Sequence, residues 1–247
     1  MAVMAKDEIV PSPPATAHEI RPAPPAAPAV SIIVPVYNEQ ESIPGLYDGL
    51  AHLADSLGAE IIVVDDGSDD AGPQLLQDCR DFIYLRIAHA GKSAALAAGL
   101  ARARAHITVT IDADLQEDPA HIPAMVALVE QGYDCVHGVR VRRQDAFWGK
   151  RLPSWFYNLL IWLLFGHQFR DVNCGLRAAP TARLRSLEWS RGTHRLVPLL
   201  VHLQGGRIKG VPVRHRRRRW GHSKYSTPRR YPVSLRHLLN LRLNGHV

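Results

Sequence analysis

Two pairs of closely spaced carboxylates carry the chemistry most legible in this sequence. Asp65 and Asp66 close the run IIVVDDGSDD, and Asp112 and Asp114 stand one residue apart in ITVTIDADLQ. Each pair follows a short stretch of Ile, Val and Thr of the kind that builds a buried strand. Two acids on a chain leaving a strand can share a hard dication, directly or through water. Mg²⁺ or Mn²⁺ held that way also accepts diphosphate oxygens. A lone D-x-D is more often a polar turn with a capping acid; two such placements in one chain favour the ligand reading. The matching cations lie later. Residues 1–139 hold 7 Lys/Arg against 20 Asp/Glu, a balance of −13, and residues 140–247 hold 23 against 3, a balance of +20. The acidic half suits a metal, and the basic half suits phosphates or an anionic membrane.

The elements that must position these acids alternate. Val30–Val36, Ile61–Val64, Phe82–Ile87, Ile107–Ile111 and Asp134–Gly138 read as strands. Between them, Glu41–Leu57, Leu75–Arg80, Ser93–Arg104 and Pro119–Gln131 read as helices. Ile43, Leu46, Leu50, Leu53 and Leu57 recur at helical spacing, and Pro119 and Gly132 bracket the last helix. Strands alternating with helices of this length predict an α/β fold, a mostly parallel sheet flanked by helices. In such sheets ligands bind beyond the carboxyl ends of the strands, so the two acidic pairs should meet in one crevice. Beyond Gly138 the pattern loosens. Val139–Lys150 reads as a charged loop, Trp155–Phe165 as an apolar helix, Val211–His215 as a strand and Pro232–Leu243 as an amphipathic helix.

Composition sets limits on the rest. Of the 247 residues 46% are apolar, enough for a substantial core. Residues 1–29 are rich in Pro and Ala, contain no apolar run of a secretory signal, and are expected to form a disordered or polyproline-like tail. Cys79, Cys135 and Cys174 lack metal-ligand spacing and read as reduced thiols of a cytoplasmic protein. Gly91-Lys92-Ser93 is not a phosphate-binding P-loop, because position 86, where that motif needs Gly, is Arg. Lys92 could still face a diphosphate from a helix N-terminus.

Beyond these residue-level readings, the ordered series SIIVPVYNEQESI, EIIVVDDGSDD, GKSAALAAGL, TIDADLQEDP, Gly138-Val139-Arg140, DVNCGLRA and VPVRHRRRRWGHSKYS resembles family 2 glycosyltransferases of the GT-A fold. Within them it is most similar to the polyprenyl-phosphate, dolichyl-phosphate mannosyltransferase-like branch. The likeness runs from about Val30 to about Ser226. It implies that Pro35, Tyr37, Glu39 and Asp66 line the donor nucleotide, together with Lys92 and Asp112. It implies that Asp112, Asp114 and Gln116 hold Mg²⁺ or Mn²⁺, and that Asp114 and Asp171 lie at the reacting centre. Arg140, Arg151, Arg216, Arg218 and Lys224 correspond to basic positions near the phosphates, here assigned to the acceptor. Three positions depart from the pattern: His89 where Asn is common, Arg217 where Pro is common, and Ser226 where Gly is usual.

The expected activity is therefore metal-dependent, inverting transfer of a sugar from a nucleotide sugar, of GDP-mannose or UDP-hexose type, to a polyprenyl phosphate. A hydroxyl acceptor would need a general base. A lipid phosphate is already anionic and needs cations to hold it beside a departing diphosphate, which the basic half can supply. A glycan acceptor is the alternative. The apolar centre of residues 152–169 is shorter than the roughly 20 residues a membrane span needs, and its tryptophans and flanking cations favour an interfacial helix. The expected setting is peripheral attachment at the cytosolic face of a membrane. Arg214–Lys224 with Trp220 could bind nucleic acid, but its charge alone is sequence-independent, so no nucleic-acid partner is expected. The expected organisation is a tail (1–29), a transferase domain (30–230) and a C-terminal amphipathic helix (231–247).

Overall fold

A computed structural model describes residues 18–20, 27–141 and 152–216, together with Leu238 and Leu241. Its strands are β1 (His18–Ile20), β2 (Val30–Val36), β3 (Ala59–Asp65), β4 (Phe82–Arg86), β5 (Ile107–Thr110), β6 (Cys135–Val141), β7 (Arg177–Pro180) and β8 (Ile208–Arg214). The helices are α1 (Ile43–Leu57), α2 (Gly72–Asp78), α3 (Lys92–Arg102), α4 (Ile122–Glu130), α5 (Leu152–Phe165), α6 (Thr181–Arg185) and α7 (Val197–Leu203). The strands form one sheet in the order β1-β4-β3-β2-β5-β7-β6-β8. The pairs β2–β3, β3–β4, β2–β5 and β6–β8 are parallel, whereas β1 and β7 run antiparallel to their neighbours.

Apolar side chains cover both faces, as the unbroken Ile/Val runs require. On one face α1 and α4 pack Leu46, Leu50, Ile122 and Met125 against Ile32, Val34, Ile61 and Val63. On the other, α3, α6 and α7 pack Ala95, Leu96, Leu184 and Val201 against Ile33, Ile62 and Val64. Full burial of one such Ile or Leu contributes about 1.5–3 kcal/mol. The Ala-rich composition of α3 has a steric reason: a Cβ at Gly99 would stand 2.5 Å from Ile33 Cγ2, so only a bare helix face fits against the strand. Glu60 is buried and satisfied structurally. It accepts hydrogen bonds from Ser31 Oγ (2.7 Å), Arg104 N (2.6 Å) and Arg104 Nε (2.9 Å), tying the starts of two strands to the end of α3.

Several sequence expectations change. The stretch 1–29 is not wholly irregular, because His18–Ile20 pairs with the open edge of β4. These three residues contain no proline, so their N–H groups can join a ladder that the surrounding prolines cannot. Residues 139–141 belong to β6 rather than to a loop, since β8 pairs alongside them up to Val141↔Arg214. Pro119–His121 is a separate 3₁₀ turn preceding α4, capped by Asp118, whose side chain accepts from Ala120 N. Residues 177–203 add β7, α6 and α7, which no periodicity announces. Leu238, expected on a membrane-facing stripe, is instead buried with Leu241 against Ile161, Phe169, Leu196 and Leu199. The other expected members of that stripe, Leu235, Leu239 and Leu243, lie outside the described residues.

Candidate active site

The register of the parallel strands decides where the acids emerge. Val36 lies beside Asp65 and Ile33 beside Thr110, so β2, β3 and β5 end at one edge. Two loops there are laced together. Asn38 N donates to Ser68 Oγ (2.9 Å), Asp69 N to Asn38 Oδ1 (2.8 Å), Gln40 N to Asp70 Oδ2 (3.0 Å) and Ala71 N to Gln40 Oε1 (2.8 Å). Glu39, after Tyr37, is buried and accepts from Ser42 Oγ (3.2 Å), while Pro35 sits within β2 beside Val64.

The first acidic pair divides its work. Asp65 faces inward, accepting from Ser68 N (2.8 Å) and Tyr84 Oη (3.0 Å), with Arg86 Nε at 3.4 Å. Asp66 turns the other way and accepts from Ala90 N (2.8 Å) and Gly91 N (2.9 Å), with His89 Nδ1 3.0 Å from its carboxylate. Burial pushes the Asp66 carboxyl above the ordinary range, against the pull of these donors. Asp66 thus holds the turn that enters α3. His89, one of the departures noted above, stacks on Tyr37 with ring centroids 4.2 Å apart and planes at 25°. The pair forms an aromatic shelf at the mouth of the crevice.

Asp112 and Asp114 leave β5 beside this shelf. Lys92, the first residue of α3, forms a short hydrogen-bonded ion pair with Asp112. Burial opposes charge on Asp112, but Lys92 foremost, with Arg177 and Arg140, holds its carboxyl below the usual range. Gly175 packs against the same carboxylate: a Cβ there would lie 2.5 Å from Asp112 Cγ, so only glycine lets the carboxylate sit there. Thr110 Oγ1 fixes that backbone by donating to Gly175 O (2.8 Å). Asp114 Oδ1 accepts from Gln116 N (3.2 Å) around Leu115, whose φ of 58° marks a left-handed turn. Gln116 is spent largely on β8's continuation: its carbonyl accepts from Arg216 N (2.8 Å) and its Nε2 donates to Arg216 O (3.3 Å). Next to it Glu117, which the motif reading passed over, is buried. Desolvation, then the charges of Asp112 and Asp114, push its carboxyl up to about 8.

The basic half supplies Arg140 at the end of β6. Asp171 grips it by three bonds: Arg140 Nε (2.7 Å), Nη2 (2.8 Å) and N (3.2 Å) all donate to its carboxylate. Both side chains are largely buried. Asp171 therefore orients the arginine. Arg177, also passed over, begins β7, buried and anchored to His194 O (2.6 Å) and Val172 O (3.2 Å). Burial, then Arg177, pulls the neighbouring His137 imidazole down to about 4. Arg216 lies farther out, 57% exposed, with Nη2 2.5 Å from Asp118 Oδ2. Arg151, Arg218 and Lys224 lie outside the described residues. The only hint of Glu117 and Arg177 in the sequence was their membership of TIDADLQEDP and DVNCGLRA.

The donor set fits a hard dication. Two carboxylates stand two positions apart just past the end of β5, and a cation, the Lys92 ammonium, already sits on one of them. Among the described residues no three His, Cys, Asp or Glu side chains converge as metal ligands. Such a site depends on substrate oxygens to complete its shell, as Mg²⁺ sites with one or two carboxylates do.

Comparison with known proteins agrees with this geometry. The family model described as Glycosyl transferase family 2 matches residues 31–185. Undecaprenyl-phosphate 4-deoxy-4-formamido-L-arabinose transferases of Salmonella paratyphi B and Salmonella newport are 36% identical over 205 residues, covering 80% of this chain and 62% of theirs. The chain thus spans less than two thirds of the length of these relatives. Among solved structures, glucosyl-3-phosphoglycerate synthase from Mycobacterium tuberculosis, in complex with Mn²⁺, UDP-glucose and phosphoglyceric acid, superposes with a TM-score of 0.71. That match has 21% identity and covers 91% of this chain and 81% of that one. A second mycobacterial protein gives 0.70 at 22% identity, covering 87% and 76%. These structural likenesses speak for the fold, which is GT-A. With more than half of its length matched by the family model, and with the acids of that model's span gathered at one sheet edge, the chain belongs to glycosyl transferase family 2.

Proposed function

We propose that the protein transfers a sugar from a nucleotide sugar to a polyprenyl phosphate at a membrane surface. The observation that carries this reading is the meeting of the acidic Asp112–Asp114 turn with the buried, oriented cation Arg140 at one sheet edge. The name of the relatives at 36% identity supports a polyprenyl-phosphate acceptor. Asp112 and Asp114, with Gln116 beside them, would hold Mg²⁺ or Mn²⁺, which when bound neutralises charge on the departing diphosphate. The Tyr37–His89 shelf, with Pro35 and Glu39 behind it, would receive the base and ribose. Lys92 would reach the diphosphate from the start of α3. Arg140, kept straight by Asp171, would hold an acceptor phosphate, with Arg151, Arg216, Arg218 and Lys224 as further cations. A phosphate oxygen then attacks the anomeric carbon from the face opposite the leaving group. The new C–O bond forms as the bond to the nucleoside diphosphate breaks, and that group leaves with the electron pair. No proton has to be removed, which is consistent with a site where Asp112 and Asp171 are engaged by cations and Asp114 by a backbone N–H.

Membrane attachment rests on α5. Trp162 and Leu163 are 47% and 65% exposed next to the buried Ile161, an outward apolar face of the kind that enters a lipid interface. No helix among the described residues is long and apolar enough to cross a membrane. The test offers a panel of nucleotide sugars with Mn²⁺ or Mg²⁺ to polyprenyl phosphate and, in parallel, to the uncharged polyprenol. Transfer is expected to the phosphate alone, and to be lost in Asp114→Asn with the fold retained. Equal transfer to both lipids refutes the phosphate as nucleophile.

A further inference from the structure

Lys92 is in an unusual electrostatic position. It is the first residue of α3, where the helix dipole disfavours a cation. What compensates is the Asp112 carboxylate directly in front of it, in a pair mostly withdrawn from solvent: the two side chains are 18% and 30% exposed. The carboxylate is also packed against Gly175, where even an added Cβ would lie 2.5 Å from Asp112 Cγ. An incoming dication therefore competes with the ammonium for the charge of this carboxylate, and for Oδ1 directly. It also finds no third ionisable ligand among the described residues to offset that competition.

We propose that Lys92 is an internal counter-ion that occupies Asp112 until a nucleoside diphosphate draws it off, so that metal and nucleotide bind as a coupled pair. The diphosphate offers Lys92 a new anionic partner within reach of the α3 N-terminus, and the same phosphates supply the oxygens the metal lacks. Coupling of this kind is reciprocal: whatever factor the nucleotide adds to metal affinity, the metal adds to nucleotide affinity. Lys92 thereby keeps the acidic turn closed to free cations when no donor is present. The inference rests on the donor reading above for its nucleotide half, while its counter-ion half rests on the geometry alone.

The experiment measures Mn²⁺ binding by loss of the free-ion electron paramagnetic resonance signal, in the full chain, without nucleotide and with saturating UDP or GDP in separate titrations. Without nucleotide, Lys92→Gln should bind Mn²⁺ at least about tenfold more tightly than wild type, the scale of one charge-assisted hydrogen bond. Lys92→Arg, which restores the charge, should behave like wild type. One of the two nucleotides should raise wild-type affinity strongly and Lys92→Gln affinity much less. Lys92→Met provides a second neutral side chain should the glutamine variant fold poorly, with thermal melting as the check. No tightening in either neutral variant overturns the proposal, whatever the nucleotides do. Tightening without any effect of UDP or GDP on wild type keeps Lys92 as counter-ion but overturns the coupling, and with it the donor reading.

Discussion

The Arg140–Asp171 pair makes the sharpest stability prediction. Arg140 donates from Nε and Nη2 at 2.7 and 2.8 Å to a carboxylate that is almost fully buried. Asp171, in turn, lifts the Arg140 guanidinium above its already high range against the cost of burial, so the arginine keeps its charge at any accessible pH. Removing one member leaves the other charged and without its principal partner in a place with little water. For buried pairs that typically costs about 3–5 kcal/mol, a large share of the roughly 5–15 kcal/mol that stabilises a domain. Asp171→Leu and Arg140→Met should each lower stability by about that amount in urea denaturation. The double variant should lose less than the sum of the singles, with a coupling of about 2–3 kcal/mol. Because the pair is shielded, 1 M salt should change the coupling little, whereas a surface pair would be screened. Single-variant losses below about 1 kcal/mol, the range of exposed pairs, would refute the claim that Asp171 exists to hold this arginine. If they hold, catalytic loss in Asp171 variants follows from a displaced Arg140 rather than from a missing base.

Gly175→Ala should retain the melting temperature within a few degrees yet abolish both transfer and nucleotide-supported Mn²⁺ binding, because its methyl would lie 2.5 Å from Asp112 Cγ; normal Mn²⁺ binding in that variant would show that Asp112 has room to spare. Glu117 sets a pH dependence with a definite sign. Its folded carboxyl titrates at about 8 against an ordinary 4.5, so between those values the folded state binds a proton that the unfolded chain has lost. Stability should fall as pH rises through that window, by up to about 1.4 kcal/mol per pH unit. Glu117→Gln should flatten the decline when urea midpoints are followed from pH 5.5 to 8.5 in chelator; parallel curves would contradict the assignment. Trp162→Ser combined with Leu163→Ser should reduce sedimentation with anionic vesicles by about tenfold or more, since each side chain contributes about 1.5–3 kcal/mol when fully buried. Unchanged sedimentation would move the attachment site elsewhere.

Much of the fold and the acidic half of the site could be read from local pattern. Unbroken Ile/Val runs such as Ile32–Val34 and Ile61–Val64 lie in strands because only a doubly covered sheet buries them, and the acids that follow the second mark its carboxyl end. The pairs Asp65–Asp66 and Asp112–Asp114 were therefore legible as sharing one sheet edge although they lie far apart in sequence, whereas the Lys92–Asp112 pair was not. Composition likewise announced the cationic half. What local pattern does not carry is pairing across long separations. That Gly175 closes on Asp112 and that Arg177 starts a strand beside Thr110 follow from β7 inserting antiparallel between β5 and β6, a choice of topology with no periodic signature. Asp66 and Asp171 show the same division: the sequence identified their chemistry, but only the packed chain decided what each carboxylate faces. Asp66 meets the Ala90–Gly91 backbone and Asp171 meets Arg140, because an acid withdrawn from water must be satisfied by whatever donors the fold brings to it. For the same reason Glu117, an unremarkable third acid in TIDADLQEDP, becomes a largely neutral carboxyl at pH 7 once the fold removes its water and sets two other carboxylates beside it.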